Sequence, residues 1–142
     1  MTYRVLLTAA LICFPATAMA DRPDVEPGLW KTTSTIAFEG PMEMPDRTET
    51  AEQCITEEDL DREEIPLFEE TEECEITEVE IERSGMRYQM VCEQEGMRME
   101  AEAQFEFSGN RTEGRIVAEM EGPMGRMKTE TTIESERIGD CP

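Results

Sequence analysis

The sequence predicts a mainly β fold: an antiparallel barrel or strongly curved sheet of six or seven strands, with one short helix and two disulfides. Three observations predict it. From Met97 to Phe107, the residues Met97, Met99, Ala101, Ala103, Phe105 and Phe107 alternate without exception against Arg98, Glu100, Glu102, Gln104 and Glu106, the mark of a strand with one dry and one wet face. Turn-forming residues recur at short intervals, so successive strands are hairpin partners, and no strand–helix–strand crossover pattern is present. Four cysteines follow residue 20, an even number suited to a small exported domain stapled by two bridges.

Residues 1–20 read as a secretory signal peptide. Arg4 precedes the apolar run Val5 to Phe14, and Ala18-Met19-Ala20 supplies the small-x-small site after which a signal peptidase cleaves. The run is well short of the roughly 20 residues that cross a bilayer, and no later segment approaches that length, so no transmembrane segment is expected. Cys13 could be the acylated residue of a lipoprotein, but Ile12 stands where that processing needs a small residue. The expectation is therefore one domain over residues 21–142, periplasmic or secreted in a Gram-negative type of bacterium.

Gly28-Leu29-Trp30 opens the first strand, with Trp30, Thr32, Ser34, Ile36 and Phe38 on one face. Trp30 is expected to be buried as an anchor of the fold. Glu39-Gly40-Pro41 breaks the strand, and a weaker one is expected from Met42 to Gln53. Thr56-Glu57-Glu58-Asp59 then places a capping residue three before an acid, which predicts a helix of two or three turns stopped by Pro66. The run Glu69 to Glu73 is too charged to bury.

Glu75 to Arg83 and Met86 to Glu93 form a hairpin about Ser84-Gly85, which sets Ile81 opposite Tyr88, Val79 opposite Met90 and Thr77 opposite Cys92. Ile76 interrupts the alternation and signals a bulge or a strand start. Ser108-Gly109-Asn110 turns the Met97–Phe107 strand into Arg115 to Glu121, with Ile116, Ala118 and Met120 inward. Gly122-Pro123-Met124-Gly125 leads to a last strand from Arg126 to Ile138.

Several of these segments carry a resemblance: Pro27-Gly28-Leu29-Trp30, Cys54-Ile55-Thr56-Glu57-Glu58-Asp59, Cys74, Tyr88-Gln89-Met90-Val91-Cys92, Phe107-Ser108-Gly109-Asn110, and the ending Arg137-Ile138-Gly139-Asp140-Cys141. In order and spacing they resemble the DUF3617 family over essentially the whole chain after the leader. The resemblance implies an exported bacterial domain with four cysteines and no assigned activity.

Charge and residue usage exclude several function classes. Removing residues 1–20 takes Arg4 away from the 13 basic residues and nothing from the 34 acidic ones, leaving −22. Such a chain repels phosphate backbones and anionic lipid, so nucleic acid is not an expected partner. There is no histidine, which removes the usual base of a Ser or Cys nucleophile. A carboxylate-based hydrolase is left as an alternative, though none of the acids stands out on an apolar face. Met42-Glu43-Met44 and Met97-Arg98-Met99 offer soft thioethers, so copper binding through methionine is a second alternative. No cofactor and no catalytic residue is expected, and no metal site is assigned.

The leading expectation is a non-enzymatic binding module for a small apolar or cationic ligand, or for a periplasmic protein. Its candidate ligand-binding residues are Met86, Met90, Met97, Met99 and Phe105, adaptable side chains on a core face. The candidate disulfide residues are Cys54, Cys74, Cys92 and Cys141, with three possible connectivities. In the expected hairpin register Cys74 lies on the opposite face from Cys92, which favours Cys54 with Cys74 and Cys92 with Cys141.

Overall fold

Where alternation stops in this chain, a turn residue stands, and almost every such stop becomes a hairpin. The computed structural model describes residues 22–61 and 73–142. Seven strands form: β1 (Gly28–Glu39), β2 (Arg47–Ile55), β3 (Cys74–Glu82), β4 (Gly85–Gln94), β5 (Met97–Phe107), β6 (Arg111–Gly122) and β7 (Gly125–Gly139). Helix α1 (Glu57–Leu60) follows β2. All pairings are antiparallel, in one sheet of order β2-β1-β7-β6-β5-β4-β3.

That order is an up-and-down meander in which β1 has paired with β7 while β2 and β3 have not met. The sheet is thus open, with β2 and β3 as its edges; of the two expected forms, a barrel or a curved sheet, the closed barrel is ruled out. Residues 56–73 join those two strands in place of a tight turn, so nothing local forces them into register.

Three element boundaries also differ from expectation. Strand β6 begins at Arg111 instead of Arg115. β2 starts at Arg47 instead of Met42, because Pro41 and Pro45 fix φ and withhold donors from a ladder. α1 is a single turn among the described residues, closed by the expected capping box: Asp59 N–H donates to the Thr56 hydroxyl at 3.2 Å, and Thr56 N–H donates to the Asp59 carboxylate at 3.0 Å. Pro66 and the acidic stretch from Glu69 to Glu72 lie outside the described residues.

The β3–β4 hairpin corrects the expected register. Glu82 pairs with Gly85, so Arg83-Ser84 forms the turn, and Ile81 faces Met86 while Val79 faces Tyr88. Gly85 serves a close approach and not a turn conformation: a Cβ there would sit 2.5 Å from the carbonyl oxygen of Phe105. The register then shifts between Ile76 and Glu78, and this bulge returns Ile76 to Met90 and Cys74 to Cys92. Cys74 and Cys92 are therefore direct partners, 4.0 Å apart at Cα, and form one disulfide. The other joins Cys54 to Cys141. The expected pairing of Cys54 with Cys74 and Cys92 with Cys141 is overturned, because it rested on a bulge-free strand.

Burial is concentrated on β4 and β5. Met86, Tyr88, Ala103 and Phe105 form one buried cluster, with Phe107, Ile116 and Ile133 packed against it. Met90, Cys92 and Ala101 form a second, flanked by Cys74, Met99 and Ala118. The Phe105 ring lies over Gly114, its direct partner on β6, where a Cβ would come within 2.5 Å of Cε1. Trp30 is only 2% exposed, and its indole N–H donates to the Glu26 carbonyl at 2.9 Å.

Four of the six segments that carry the family resemblance meet at one end of the sheet, whereas Cys74 and Cys92 lie at the other. Arg137 Nε donates to the Pro27 carbonyl at 2.7 Å, its backbone N–H donates to the Asn110 carbonyl at 2.9 Å, and its guanidinium pairs with Asp140 at 2.5 Å. Gly28, at φ +149°, tolerates no side chain, since a Cβ would lie 2.5 Å from the Gly139 carbonyl. The lead-in segment crosses the same end. Arg22 pairs with Glu57 and, at 3.5 Å, with Asp61 beside β2, whereas Asp24 N–H donates to the Arg83 carbonyl in the β3–β4 turn at 2.7 Å. Between those two anchors Gly109 exchanges backbone hydrogen bonds with Asp24 and Glu26, both at 2.8 Å.

Candidate functional site

Direct antiparallel partners point to the same face of a sheet, so the pairings define the side chains that share a surface. One row runs Tyr88, Ala103, Ile116, Thr131, Ile36 from β4 to β1. The next runs Met90, Ala101, Ala118, Thr129, Phe38, and on the other side lies Met86, Phe105, Gly114, Ile133, Ser34. In a chain with 34 acidic residues, none of these positions is an acid. From β3 across to β1 the strand acids point the other way, where Arg98 pairs with Glu93 and Glu100, and Arg115 holds Glu130 through two hydrogen bonds of 2.7 and 2.8 Å. On the edge strand β2, Glu49 stands opposite Ser34 on this face and pairs with Arg47 at 3.1 Å.

Burial across the acid-free face is uneven. At its β4–β5 side Tyr88 is 2% and Ala103 0% exposed, and burial pushes the Tyr88 phenol up to about 12. At its β6–β7–β1 side Ile116, Ile133, Thr131, Ile36 and Phe38 are half-buried. Hydroxyls are interleaved there, and Thr32 and Ser135 share a hydrogen bond of 2.8 Å across β1 and β7.

The five methionine and phenylalanine residues singled out from the sequence do not form one surface patch. Met86 and Phe105 fill the first cluster, Met90 belongs to the second, and Met99 packs at its border. Met97 stands apart at 49% exposure. Sequence reading did not single out Ile36, Phe38, Ile116 or Ile133 for this role. The available signal was that β1, β6 and β7, up to Arg137 at the end of β7, put only apolar, small or hydroxyl residues on one face.

Methionines gather at the end of the sheet opposite the Arg137 clasp. Met99, Met120 and Met127 are successive direct partners on β5, β6 and β7, next to Cys92 on β4. All three are half-buried. Met97 lies over Gly122, where a Cβ would be 3.2 Å from its Cγ and 3.7 Å from its Sδ. Met124 in the β6–β7 turn is 77% exposed, and Met42 and Met44 lie in the β1–β2 connection at the same end.

The opposite, charged face carries an open depression of about 670 Å³ lined in part by Glu80, Glu82, Arg87, Gln104, Glu106 and Glu113. Among the described residues no charged side chain is buried, and no group of three or more His, Cys, Asp or Glu is placed to hold a metal. The Glu130 carboxyl is held below the ordinary carboxylate range by its hydrogen bonds from Arg115, the direction opposite to that required of a general acid. No helix among the described residues is long and apolar enough to cross a membrane.

These features define the class: a cystine-stapled, open antiparallel β-sheet protein with one face free of acid from β3 across to β1 and one densely charged face. Within that class, the chain belongs to the family described as protein of unknown function (DUF3617), whose model matches residues 25–141. The match runs from the lead-in strap to the second cysteine of the Cys54–Cys141 bridge. No curated protein and no solved structure matches the chain.

Proposed function

We propose that this protein is an exported, non-enzymatic binding module of the periplasm, and that its acid-free face takes a small apolar molecule. The observation that carries the reading is the half-exposed surface over β6, β7 and β1. It is kept clear of acid in a strongly acidic chain, and its residues stay half-exposed even where Ile116 and Ile133 pack against the border of the first cluster. An apolar surface left accessible in this way marks an interaction site. Hydroxyls of Thr129, Thr131 and Ser34 would orient a ligand's few polar groups without imposing charge.

Export is supported by the leader pattern of residues 1–20 and by two disulfides, which persist in oxidising compartments. Strong curvature of the sheet is supported by the lead-in strap. Two residues apart, it touches α1 beyond one edge and the turn at the other, whereas six flat inter-strand gaps would span roughly 29 Å. A curved sheet would make the acid-free face concave.

Binding of the apolar fluorophore N-phenyl-1-naphthylamine tests the reading. Ile36→Glu and Ile133→Glu should each weaken it about tenfold or more, while Val117→Glu on the charged face should leave it unchanged. Equal affinity in all three folded variants, or no uptake of the probe by the parent protein, would remove the face from consideration.

A further inference from the structure

The methionine-lined end of the sheet has a chemistry that apolar binding does not use. Nine methionines follow residue 20, and seven of them stand at this end: Met42, Met44, Met97, Met99, Met120, Met124 and Met127. Leucine, which fills the same volume, is not a member of any strand from β2 to β7. A demand for hydrophobic volume alone does not select sulfur at three successive partner positions.

We propose that Met99, Met120 and Met127, with Met97 as a fourth donor, form a site for a soft monovalent cation of the Cu(I) class. Three features of the row suit this role. Direct cross-strand partners have Cβ atoms about 5 Å apart, so flexible thioethers from β5 and β7 can lean toward an ion held over Met120. The three side chains are half-buried, neither sealed in the core nor free in water. Gly122 gives the Met97 thioether room to lie across β6 beside Met120, two positions along the same strand face.

Selectivity follows from the donor atoms. Thioethers are soft and uncharged, so they hold Cu(I) or Ag(I) and give nothing to Ca²⁺ or Mg²⁺, which need oxygen. The net charge of −22 left after residues 1–20 raises the local concentration of any cation without choosing among them. The cysteines nearest the row, Cys74 and Cys92, are joined as a disulfide and do not compete as thiolates. Binding here is ligation alone, with no electron transfer.

The test uses Ag(I) as a redox-silent ion with the exported, disulfide-bonded protein labelled at its methionine methyl groups. One equivalent should shift the methyl resonances of Met97, Met99, Met120 and Met127 and leave those of Met86 and Met90 in place. Met120→Leu should lower affinity about tenfold or more while preserving circular dichroism and N-phenyl-1-naphthylamine uptake, since the substitution conserves volume. Met99→Leu and Met127→Leu give the same reading should Met120→Leu fold poorly. Met124→Leu, in the exposed turn, should change nothing. The proposal is overturned if no single equivalent binds, if the shifts fall on Met124 and Met42, or if the three row variants retain parent affinity. Because leucine keeps the apolar surface, failure here leaves the apolar-ligand reading standing, and loss of probe uptake alone leaves this one standing.

Discussion

Removing the two disulfides one at a time should reveal unequal contributions, because they close loops of very different length. Cys54 and Cys141 are 87 residues apart in sequence, whereas Cys74 and Cys92 are 18 apart. In the chain-entropy treatment these closures restrict the unfolded state by about 4.6 and about 3.2 kcal/mol, a difference of about 1.4 kcal/mol. Nesting of the short loop inside the long one lowers both losses by the same amount and leaves the difference unchanged. A second effect acts in the same direction. β2 is exposed along nearly its whole length and pairs only with β1, so the bridge at Cys54 also keeps an edge strand in place. The double variant Cys54→Ser/Cys141→Ser should therefore lose more stability in urea than Cys74→Ser/Cys92→Ser, with a steeper dependence on denaturant because the unfolded chain expands. Amide exchange in β2 should accelerate in the first variant and not in the second. Equal losses, or a larger loss from the short loop, would show that loop length does not set the contribution of each bridge. Non-reducing peptide mapping gives an independent check, and a Cys54–Cys74 peptide would refute the pairing itself.

Three further outcomes follow from the same contacts. Trp30→Ala should cost about 3–5 kcal/mol in urea unfolding, since it removes a ring only 2% exposed and orphans the Glu26 carbonyl; native emission should be blue-shifted and resistant to acrylamide, and a red-shifted, readily quenched signal contradicts burial. Gly114→Ala should destabilise by about 1–3 kcal/mol because the Phe105 ring occupies the space of the new methyl, and the double variant with Phe105→Leu should recover part of the loss. Tyr88 makes stability fall in alkali: with its phenol pushed up to about 12 from the ordinary value near 10, the folded state keeps a proton that the unfolded chain releases. Its contribution is fully present below pH 10 and is lost as pH rises through 12, by up to about 3 kcal/mol, and Tyr88→Phe should flatten that part of the profile.

The alternation of residues along single strands was legible in the sequence, and with it the β class, the turns at Gly109 and Pro123, the capping box at Thr56 and the burial of Trp30. These are local properties, fixed by the two-residue period of a strand and by the dihedral needs of particular turn residues. The family signature was legible as a pattern, but its physical meaning was not: Gly28, Asn110 and the Arg137–Asp140 pair are far apart in the chain and meet only at the clasp. Likewise Met97-Arg98-Met99 was visible as a motif, while the alignment of Met99 with Met120 and Met127 depends on the registers of two further hairpins.

What the sequence determined by itself is the charge, the periodicity and the number of cysteines, because each is a property of the chain read in order. Which residues became partners was settled by long-range pairing alone. A single bulge between Ile76 and Glu78 inverts the face of every residue N-terminal to it on β3, and so carries Cys74 across to Cys92 and leaves Cys54 for Cys141. Closure of the sheet is decided in the same way. Local alternation specifies strands equally well for a barrel and for an open sheet, and the difference lies in whether β2 finds β3 across residues 56–73, a non-local pairing that no turn signal encodes.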